Sequence, residues 1–482
     1  MKTLIKIILI LVVIIVIAFN LVAAALACDT WVALGNVTAR GLTLFAKNSD
    51  RPLFDAQPLV LNPRARWPEG ASVDLGRVRI PQVRVTYATL GSSPYWCWGY
   101  EEGVNEFGVA IGNEGVKTRP LAAMVAEAAA GRFPAPGPTG MDLLRLGLER
   151  GRTAKEALEV ITVLVERYGQ FGSGLPTAGP DGAYDNSFII ADAREAWVLE
   201  TAGREWAAKR LVRGTASISN ALTLTTGRDL ASKDLVGRAV ASGWWPRERS
   251  GELDFAAAYA DDSPAALEAA KRSLARQSCS AGLLAGLAGR VTAEAMMGIA
   301  RDRSSTPSLD LDQTASSCVA ELPGPGGLPV LWWCAATPSR SCYIPVFVHG
   351  ARLPAILSKA GTAGRAVIAP DKAPRDAFAE DSYWWLFRDL CDKINADEAA
   401  RLPSVRSEFD ALEKAFAAGV PDVAGRAAAL RKNGRAEEAA AVLDAYTASC
   451  VDKALEKVRE LRTRFAAPPA VDVPVEFRSF VG

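Results

Sequence analysis

The residue best placed to do chemistry is Cys28, which directly follows the small-residue segment Ala25-Leu26-Ala27. Small residues at −3 and −1 are what a signal peptidase recognises, so cleavage there would make Cys28 the first residue of the mature chain. A first residue carries a free α-amine with a reference pKa near 7.7–8, so part of it is unprotonated near neutral pH and can accept the thiol proton. The sequence therefore predicts a cysteine nucleophile that uses its own amine as base.

Histidine is too scarce for the commoner hydrolytic sites. The chain has one histidine, His349, at the end of the apolar run VFVHG. Ser-His-Asp and Cys-His sites need a histidine beside the nucleophile, and HExxH zinc sites need two. Because a lone histidine in an apolar setting is typical of a packed structural residue, the base of any hydrolytic site is expected elsewhere.

The first 27 residues have the parts of a secretory signal. Lys2 and Lys6 form a positive start, Ile7 to Phe19 an apolar core, and Ala23 to Ala27 a small-residue exit. Three interpretations stay open: a cleaved signal peptide, an uncleaved membrane anchor, and a lipoprotein signal that would lipidate Cys28. We expect residues 1–27 to be a signal peptide or membrane leader, and the protein to be exported to the periplasm or outside the cell, with or without an anchor.

Composition excludes some classes of partner and site. The chain has 482 residues, 49% of them hydrophobic, and its 55 basic and 54 acidic residues nearly cancel. Nucleic-acid binding needs a basic footprint, so no nucleic-acid partner is expected. The eight cysteines have neither CxxC pairs nor zinc spacing, so no metal site is predicted. A bridge between Cys391 and Cys450 is the first candidate disulfide if the exported chain is oxidised.

The elements that would position Cys28 are mostly strands. Residues 30–47 are predicted to form a hairpin, and further strand–turn–strand patterns cover 101–116 and 186–203. Two helices are predicted between these, one over 141–150 and one that follows the capping pattern at 153–156 and ends at Gly169. The chain is expected to divide into a β-rich domain with helices over 28–370 and a helical C-terminal region over 371–482.

Several segments together resemble a known family. CDTWVALGNVTARGLTLFAKNSDRP is similar to the start of the mature chain in the dipeptidase A and secernin family of N-terminal-nucleophile (Ntn) cysteine hydrolases. The similarity continues in order through EEGVNEFGVAIGNEGV, YDNSFIIADAREAWVLETAG, SISNALTL, VTAEAMMGIARDRSS and TASSCVAELP. The resemblance implies an α+β fold, a four-layer αββα sandwich with Cys28 at the start of an inner strand, and cofactor-free hydrolysis of amide bonds, typically in dipeptides.

The resemblance also implies roles for individual residues. Cys28 matches the nucleophile, Asp50 the carboxylate that holds its α-amine, Asn113 an oxyanion-hole donor, and Asn220 a second polar residue of the acyl pocket. The wider group includes penicillin V and bile-salt acylases, which carry an arginine where this chain has Lys47. Further candidates for substrate binding or site support are Lys47, Arg51 and Arg301, with Arg303 as the alternative to Arg301.

Each of these roles has a plainer alternative. Asp50 and Arg51 also fit a solvent-exposed ion pair at a strand end. Asn113 also fits a turn before Gly115, and Asn220 also fits a cap of the polar segment that follows it.

Three functions are compatible with these features. The first is an exported dipeptidase that forms a thioester on Cys28, with small peptides as its substrates. The second is an acylase of the penicillin V or bile-salt hydrolase type. The third is a non-catalytic, secernin-like protein tethered to the membrane through an uncleaved or lipidated leader. The sequence leaves the oligomeric state open.

Chelation tests the metal-free prediction. Because no cluster of metal ligands is predicted, EDTA is expected to leave hydrolytic turnover unchanged. Turnover before and after dialysis against EDTA checks this. A loss of activity that added zinc restores would contradict it.

Overall fold

Two antiparallel sheets dominate the computed structural model, which describes residues 27–466. Within that range the strands are β1 (Asp29–Ala33), β2 (Thr43–Asp50), β3 (Leu59–Asn62), β4 (Ala65–Arg66), β5 (Ser72–Asp74), β6 (Arg79–Pro81), β7 (Val85–Thr86), β8 (Thr89–Ser92), β9 (Glu102–Asn105), β10 (Ala110–Val116), β11 (Asp185–Ala191), β12 (Ala196–Ala202), β13 (Glu205–Leu211), β14 (Thr215–Ile218), β15 (Leu230–Ala231), β16 (Thr314–Leu322), β17 (Val330–Ala335) and β18 (Ile344–Phe347). The six-stranded sheet has the order β14-β1-β2-β16-β17-β18, and the eight-stranded sheet has the order β15-β13-β12-β11-β10-β9-β8-β3. Cys28 thus directly precedes an inner strand, as the resemblance implied.

Helices cover the outer faces of both sheets. In the described residues they are α1 (Arg119–Ala129), α2 (Gly140–Arg150), α3 (Ala154–Tyr168), α4 (Leu235–Ala241), α5 (Phe255–Tyr259), α6 (Pro264–Gly286), α7 (Ala293–Ala300), α8 (Tyr383–Asn395), α9 (Glu398–Lys432) and α10 (Ala436–Arg464). Helices α2 and α3 pack on the eight-stranded sheet, whereas α6 and α7 pack on the six-stranded sheet.

The side chains of β2 point alternately to two faces and show which layers lie on either side of the strand. Lys47 extends towards β10 of the other sheet and bonds the carbonyl of Asn113, whereas its neighbour Asn48 donates to the carbonyl of Ala300 on α7. Successive strand residues point to opposite faces, so one face of β2 lies against the second sheet and the other against helices. The predicted α+β fold with an αββα sandwich is confirmed.

Local signals explain where the predicted elements begin and end. The predicted hairpin over 30–47 is formed by β1 and β2. Helix α3 begins after Thr153, whose side chain accepts from the Glu156 amide, and it ends at Gly169, which has φ 68°. That positive φ favours glycine, since other residues rarely adopt it. The second predicted helix, over 141–150, corresponds to α2 with one further residue at its start.

The C-terminal helices pack against the far end of the six-stranded sheet. Helix α8 contacts β17, and α9 and α10 contact β18. The indole of Trp384 donates to the carbonyl of Ala315 at 2.6 Å, and these helices share one hydrophobic core with the sheet. The region is helical as predicted over its described part, and the boundary between 370 and 371 stays a prediction.

Two further expectations concern the cysteines and the leader. The bridge considered between Cys391 and Cys450 is wrong, because both are buried free thiols on α8 and α10. Apart from Ala27, the predicted leader over 1–27 lies outside the described residues, as do residues 467–482. Across 27–466, none of the helices has the length and apolar character that crossing a bilayer requires.

Gly99 provides a test of how closely the loop before β9 approaches α2. A Cβ at this position would lie 2.2 Å from the backbone carbonyl carbon of Met141, so Gly99→Ala is expected to destabilise the fold by about 1–3 kcal/mol. The matched control is Gly237→Ala in α4, where a Cβ would meet nothing within 4 Å and a gain of about 0.5–1 kcal/mol is expected. Urea unfolding of both variants checks this. Equal stability of the two variants would contradict the packing.

Candidate active site

Cys28 lies inside the six-stranded sheet because β1 is paired on both sides, with β2 and with the edge strand β14. The register that pairs Asp29 with Asn48 puts Cys28 opposite Ser49 on β2. The Cys28 thiol accepts a hydrogen bond from the Asp50 amide at 3.2 Å and faces the Asp50 carbonyl at 3.7 Å. Burial raises the pKa of this thiol well above its usual value, while the positive charge of Lys47 opposes the shift. The thiol therefore needs a base to become nucleophilic.

Asp50 places a half-satisfied carboxyl group beside Cys28. Its Oδ1 accepts from the Thr314 hydroxyl at 2.6 Å, whereas its Oδ2 is buried and has no hydrogen-bond partner among the described residues. Burial raises the pKa of Asp50 to about 8, against the opposing hydrogen bond from Thr314. A buried carboxyl oxygen normally has a partner, so Oδ2 is suited to a cation that joins the site.

Lys47 and Arg51 belong to one chain of buried ion pairs. The Lys47 ammonium bonds Glu101 at 3.3 Å and the carbonyl of Asn113. Glu101 also accepts from the Arg51 guanidinium at 2.6 Å, and Arg51 bonds Asp55 at 2.7 Å. Burial by itself lowers the pKa of Lys47, but the negative charges of Glu114, Cys28 and Glu101 outweigh it, so the pKa is raised. Lys47 therefore stays charged beside the thiol.

The exposed ion pair considered for Asp50 and Arg51 is wrong. Asp50 is 0% exposed and Arg51 is 1% exposed, and they do not bond each other. The physical reason is that β2 is an inner strand, covered on one face by the eight-stranded sheet and on the other by helices.

Asn220 is brought to Cys28 from the other neighbour of β1. The register that pairs Thr30 with Ile218 places Asn220 opposite Cys28, two residues beyond the end of β14. Its Nδ2 donates to the Gly115 carbonyl at 2.9 Å. One of its two N–H groups stays available for a substrate oxygen. Asn220 therefore links the two sheets at the thiol.

Arg276 is a site residue that sequence reasoning missed. From α6 its guanidinium bonds Asp29 at 2.9 Å, the Ser219 hydroxyl at 2.8 Å and the Asn220 side-chain oxygen at 3.0 Å. Burial raises the pKa of Asp29 to about 6, and the charge of Arg276 opposes that shift. The arginine thus fixes the orientation of the Asn220 amide. In the sequence it is simply one of two arginines on α6.

The side chain of Asn113 does not face the thiol. It donates to Asn186 at 3.0 Å, on the face of β10 that carries α2. Its backbone has the other orientation. The Asn105 amide bonds the Val109 carbonyl, so every second residue from Val109 onwards directs its backbone N–H and C=O groups towards β9. Asn113 is one of these residues, and it lies beyond the part of β10 that pairs with β9. The Asn113 backbone, rather than its side chain, therefore lies towards Lys47, which donates to the Asn113 carbonyl, and β10 is a strand here rather than a turn.

Arg301 has contacts elsewhere in the fold. Its guanidinium bonds Glu413 of α9 at 2.5 Å and the Pro338 carbonyl at 3.0 Å, and it lies over the ring of Tyr343. The alternative, Arg303, bonds Glu398 at 2.5 Å. None of these partners bonds Cys28 or Asp50, and a substrate role for Arg301 stays a prediction.

Buried acids outnumber buried bases around Cys28. We call nine side chains the site cluster: six carboxyl groups and three cations, all under 7% exposed, namely Asp29, Asp50, Asp55, Glu101, Glu102, Glu114, Lys47, Arg51 and Arg276. Burial is the main cause that raises the pKa of Asp55 to about 6 and that of Glu102 to about 7. The site cluster is therefore suited to receive positive charge.

Comparison with known proteins agrees with the site. Residues 27–234 match the model of peptidase family C69, and this segment carries Cys28 and both strands beside it. The predicted resemblance to the dipeptidase A and secernin family is confirmed over this segment. The protein is thus a cysteine-type hydrolase that acts on C–N bonds.

Three solved structures that are similar to this chain have the names of hydrolases. Two variants of the conjugated bile acid hydrolase from Clostridium perfringens are 15% and 16% identical, each with a TM-score of 0.35, and each match covers 66% of this chain and 92% of the other. The Caenorhabditis elegans ortholog of N-acylethanolamine-hydrolyzing acid amidase is 13% identical with a TM-score of 0.31, covering 61% of this chain and 92% of the other.

The raised pKa of Asp50 predicts a pH-dependent stability in the uncleaved chain. A carboxyl whose folded pKa of about 8 exceeds its unfolded value stabilises the fold fully below about pH 4, and this contribution is lost as the pH rises towards 8. Asp50→Asn removes that loss. The free energy of unfolding of the variant, relative to the unmodified sequence, is therefore expected to increase from pH 5 to pH 8. Urea unfolding at both pH values checks this, and a constant difference would contradict it.

Proposed function

We propose that this protein is an exported dipeptidase in which removal of residues 1–27 makes Cys28 an N-terminal nucleophile. The observation that carries the proposal is the Asp50 Oδ2 atom, which is buried beside Cys28 and has no hydrogen-bond partner within residues 27–466. In the uncleaved chain the Cys28 nitrogen is an amide. Cleavage turns it into an amine, which when protonated is a cation that Asp50 can hold.

The proposed reaction transfers an acyl group to sulfur. The α-amine of Cys28 takes the thiol proton, and the thiolate attacks the peptide carbonyl carbon. The Asn220 side-chain amide and the Asn113 backbone amide donate to the resulting oxyanion. The protonated amine then gives its proton to the leaving nitrogen, and the C–N bond breaks. Water, deprotonated by the same amine, hydrolyses the thioester and restores the thiol.

Burial keeps the amine usable as a base. A strong ion pair with Asp50 alone would hold the amine protonated at neutral pH. Removal from water, however, disfavours every charged form in the site, which raises the pKa of Asp50 to about 8 and lowers that of an amine. Both groups therefore exchange protons within the same pH range, which suits the amine to accept and return a proton during turnover.

The charge of the site cluster supports a dipeptide over an N-acyl substrate. The three cations balance the charge of at most three of the six buried carboxyl groups, and burial raises the pKa of acids such as Asp50 and Glu102, which ionise more readily when a further cation joins them. The freed Cys28 amine supplies one positive charge, and the amino terminus of a dipeptide supplies another. The acyl side of an N-acyl amide carries no such charge.

Export rests on the residues ahead of the nucleophile. Lys2 and Lys6 precede the apolar run, and Ala25 and Ala27 occupy the positions that signal peptidases read. A single cleavage at this point would both free the Cys28 α-amine and release the chain from its leader.

Substitution of the nucleophile tests the proposal. Cys28→Ser is expected to lower dipeptide turnover by about 100-fold or more, because a serine hydroxyl is a far poorer nucleophile with so weak a base. Turnover is measured on a panel of dipeptides and N-acyl amino acids, with terminal sequencing to establish that each sample begins at residue 28. Unchanged turnover in the variant, or hydrolysis of the N-acyl compounds alone, would contradict the proposal.

A further inference from the structure

Glu114 is a buried carboxyl group with only one of its two oxygens hydrogen-bonded in the part of the chain that the structure describes. It lies on β10 between the two sheets and is 0% exposed. One oxygen accepts from the Thr30 hydroxyl, and the other, Oε2, has no hydrogen-bond partner among the described residues. The nearest cation, Lys47, is 3.8 Å from Oε2, which is beyond hydrogen-bond distance. Burial raises the pKa of Glu114 well above its usual value, and the positive charge of Lys47 opposes this shift without occupying Oε2.

A second unpartnered group lies opposite Glu114. Ser187 on β11 is paired with Glu114 in the register, so both side chains point to the same face of the sheet. The Ser187 hydroxyl is buried and has no partner among residues 27–466. A carboxylate oxygen and a hydroxyl oxygen thus stand side by side between the sheets, and both can accept hydrogen bonds.

The distance from this pair to the nucleophile suits one amino-acid residue. Cys28 and Thr30 are two positions apart and share a face, so they are roughly 7 Å apart along the strand. Thr30 bonds Glu114 directly, and the charge of Glu114 contributes to raising the pKa of the Cys28 thiol. A carbonyl carbon poised for attack lies about 3–3.5 Å from sulfur, and the α-nitrogen of its residue lies about 2.5 Å from that carbon.

We propose that Glu114, with Ser187, binds the free α-ammonium group of the residue whose carbonyl Cys28 attacks. The inference rests on the proposed dipeptidase function and names the group that makes a free amino terminus a requirement. An ammonium has three N–H donors in a compact charge, which matches one carboxylate oxygen and one hydroxyl.

Asp50, Asp29 and Glu101 of the site cluster do not suit this role. Asp50 lies against Cys28, to whose thiol its amide donates, and the proposed reaction assigns its carboxyl group to the enzyme's own amine. Asp29 points to the opposite face of β1 and is paired with Arg276 at 2.9 Å. Glu101 is held between Lys47 and Arg51. Glu114 is therefore the carboxylate of the cluster that is left for a substrate.

A pair of substrates that differ only in the amine tests the inference. Alanyl-alanine and propionyl-alanine share the same acyl skeleton, and the second lacks the α-amine. Glu114→Gln keeps the size of the side chain and removes its charge. We expect this variant to lower the ratio of kcat/KM for alanyl-alanine over propionyl-alanine by about 10–100-fold, and to change kcat/KM for propionyl-alanine by less than about threefold.

The matched control is Asp376→Asn, which likewise replaces a buried carboxyl group by an amide. Asp376 is 4% exposed, lies outside the site cluster and accepts from the amides of Gly361 and Ala363, so the ratio is expected to change by less than about threefold. Ser187→Ala is a smaller change that leaves every described hydrogen bond intact, and it is expected to lower the ratio by about 3–10-fold.

The outcomes separate this inference from the proposed function. Equal losses on both substrates in Glu114→Gln, or an unchanged ratio in Glu114→Gln and Ser187→Ala, would overturn the role of Glu114 while the dipeptidase stands. If Glu114→Gln does not fold, the ratio in Ser187→Ala decides. An unmodified protein that hydrolyses propionyl-alanine but not alanyl-alanine would overturn both proposals.

Discussion

The pairing of β1 with β2 on one side and β14 on the other is the constraint on which the site depends. It places Cys28 at the start of an inner strand of the six-stranded sheet, with Asp50 contributed by β2 and Asn220 by the segment that follows β14. A slip of one residue in either ladder would turn every side chain of that strand to the opposite face. The thiol and its neighbours are therefore positioned by backbone hydrogen bonds, which are stiffer than side-chain contacts.

Charge between the sheets is the second feature of the molecule. Burying an ion is costly unless it is paired, and here Lys47, Glu101 and Arg51 satisfy one another in a continuous chain. Burial raises the pKa of other acids of the site cluster, such as Asp50 and Glu102, because it disfavours their charged forms. Such a site favours cationic partners, and in our proposals these are the freed amine of Cys28 and the amino terminus of the substrate.

The sequence was most informative where the relevant signals are local. The hairpin that became β1 and β2, the helix closed by Gly169 and the position of Cys28 before an inner strand all follow from short patterns and from family resemblance. Asp50 and Asn220 were predicted on the same basis, and both lie beside Cys28.

What the sequence did not reveal depends on contacts between distant segments. Arg276 reaches Asp29 from 247 positions away, and no local pattern distinguishes it from other arginines. The burial of Arg51 and the pairing of Arg301 with Glu413 likewise arise from elements that meet only in the folded chain. Asn113 was placed on the right strand, but the bond of its side chain to Asn186 arises only in the folded sheet.

The central claim is that the liberated amine of Cys28 is the base for its own thiol. The most direct test compares two preparations that both begin at Cys28, one with a free α-amine and one with that amine acetylated. Acetylation leaves the thiol in place but removes the basic nitrogen, so dipeptide turnover is expected to fall by about 100-fold or more. Equal turnover in the two preparations would show that another group accepts the proton and would contradict the account.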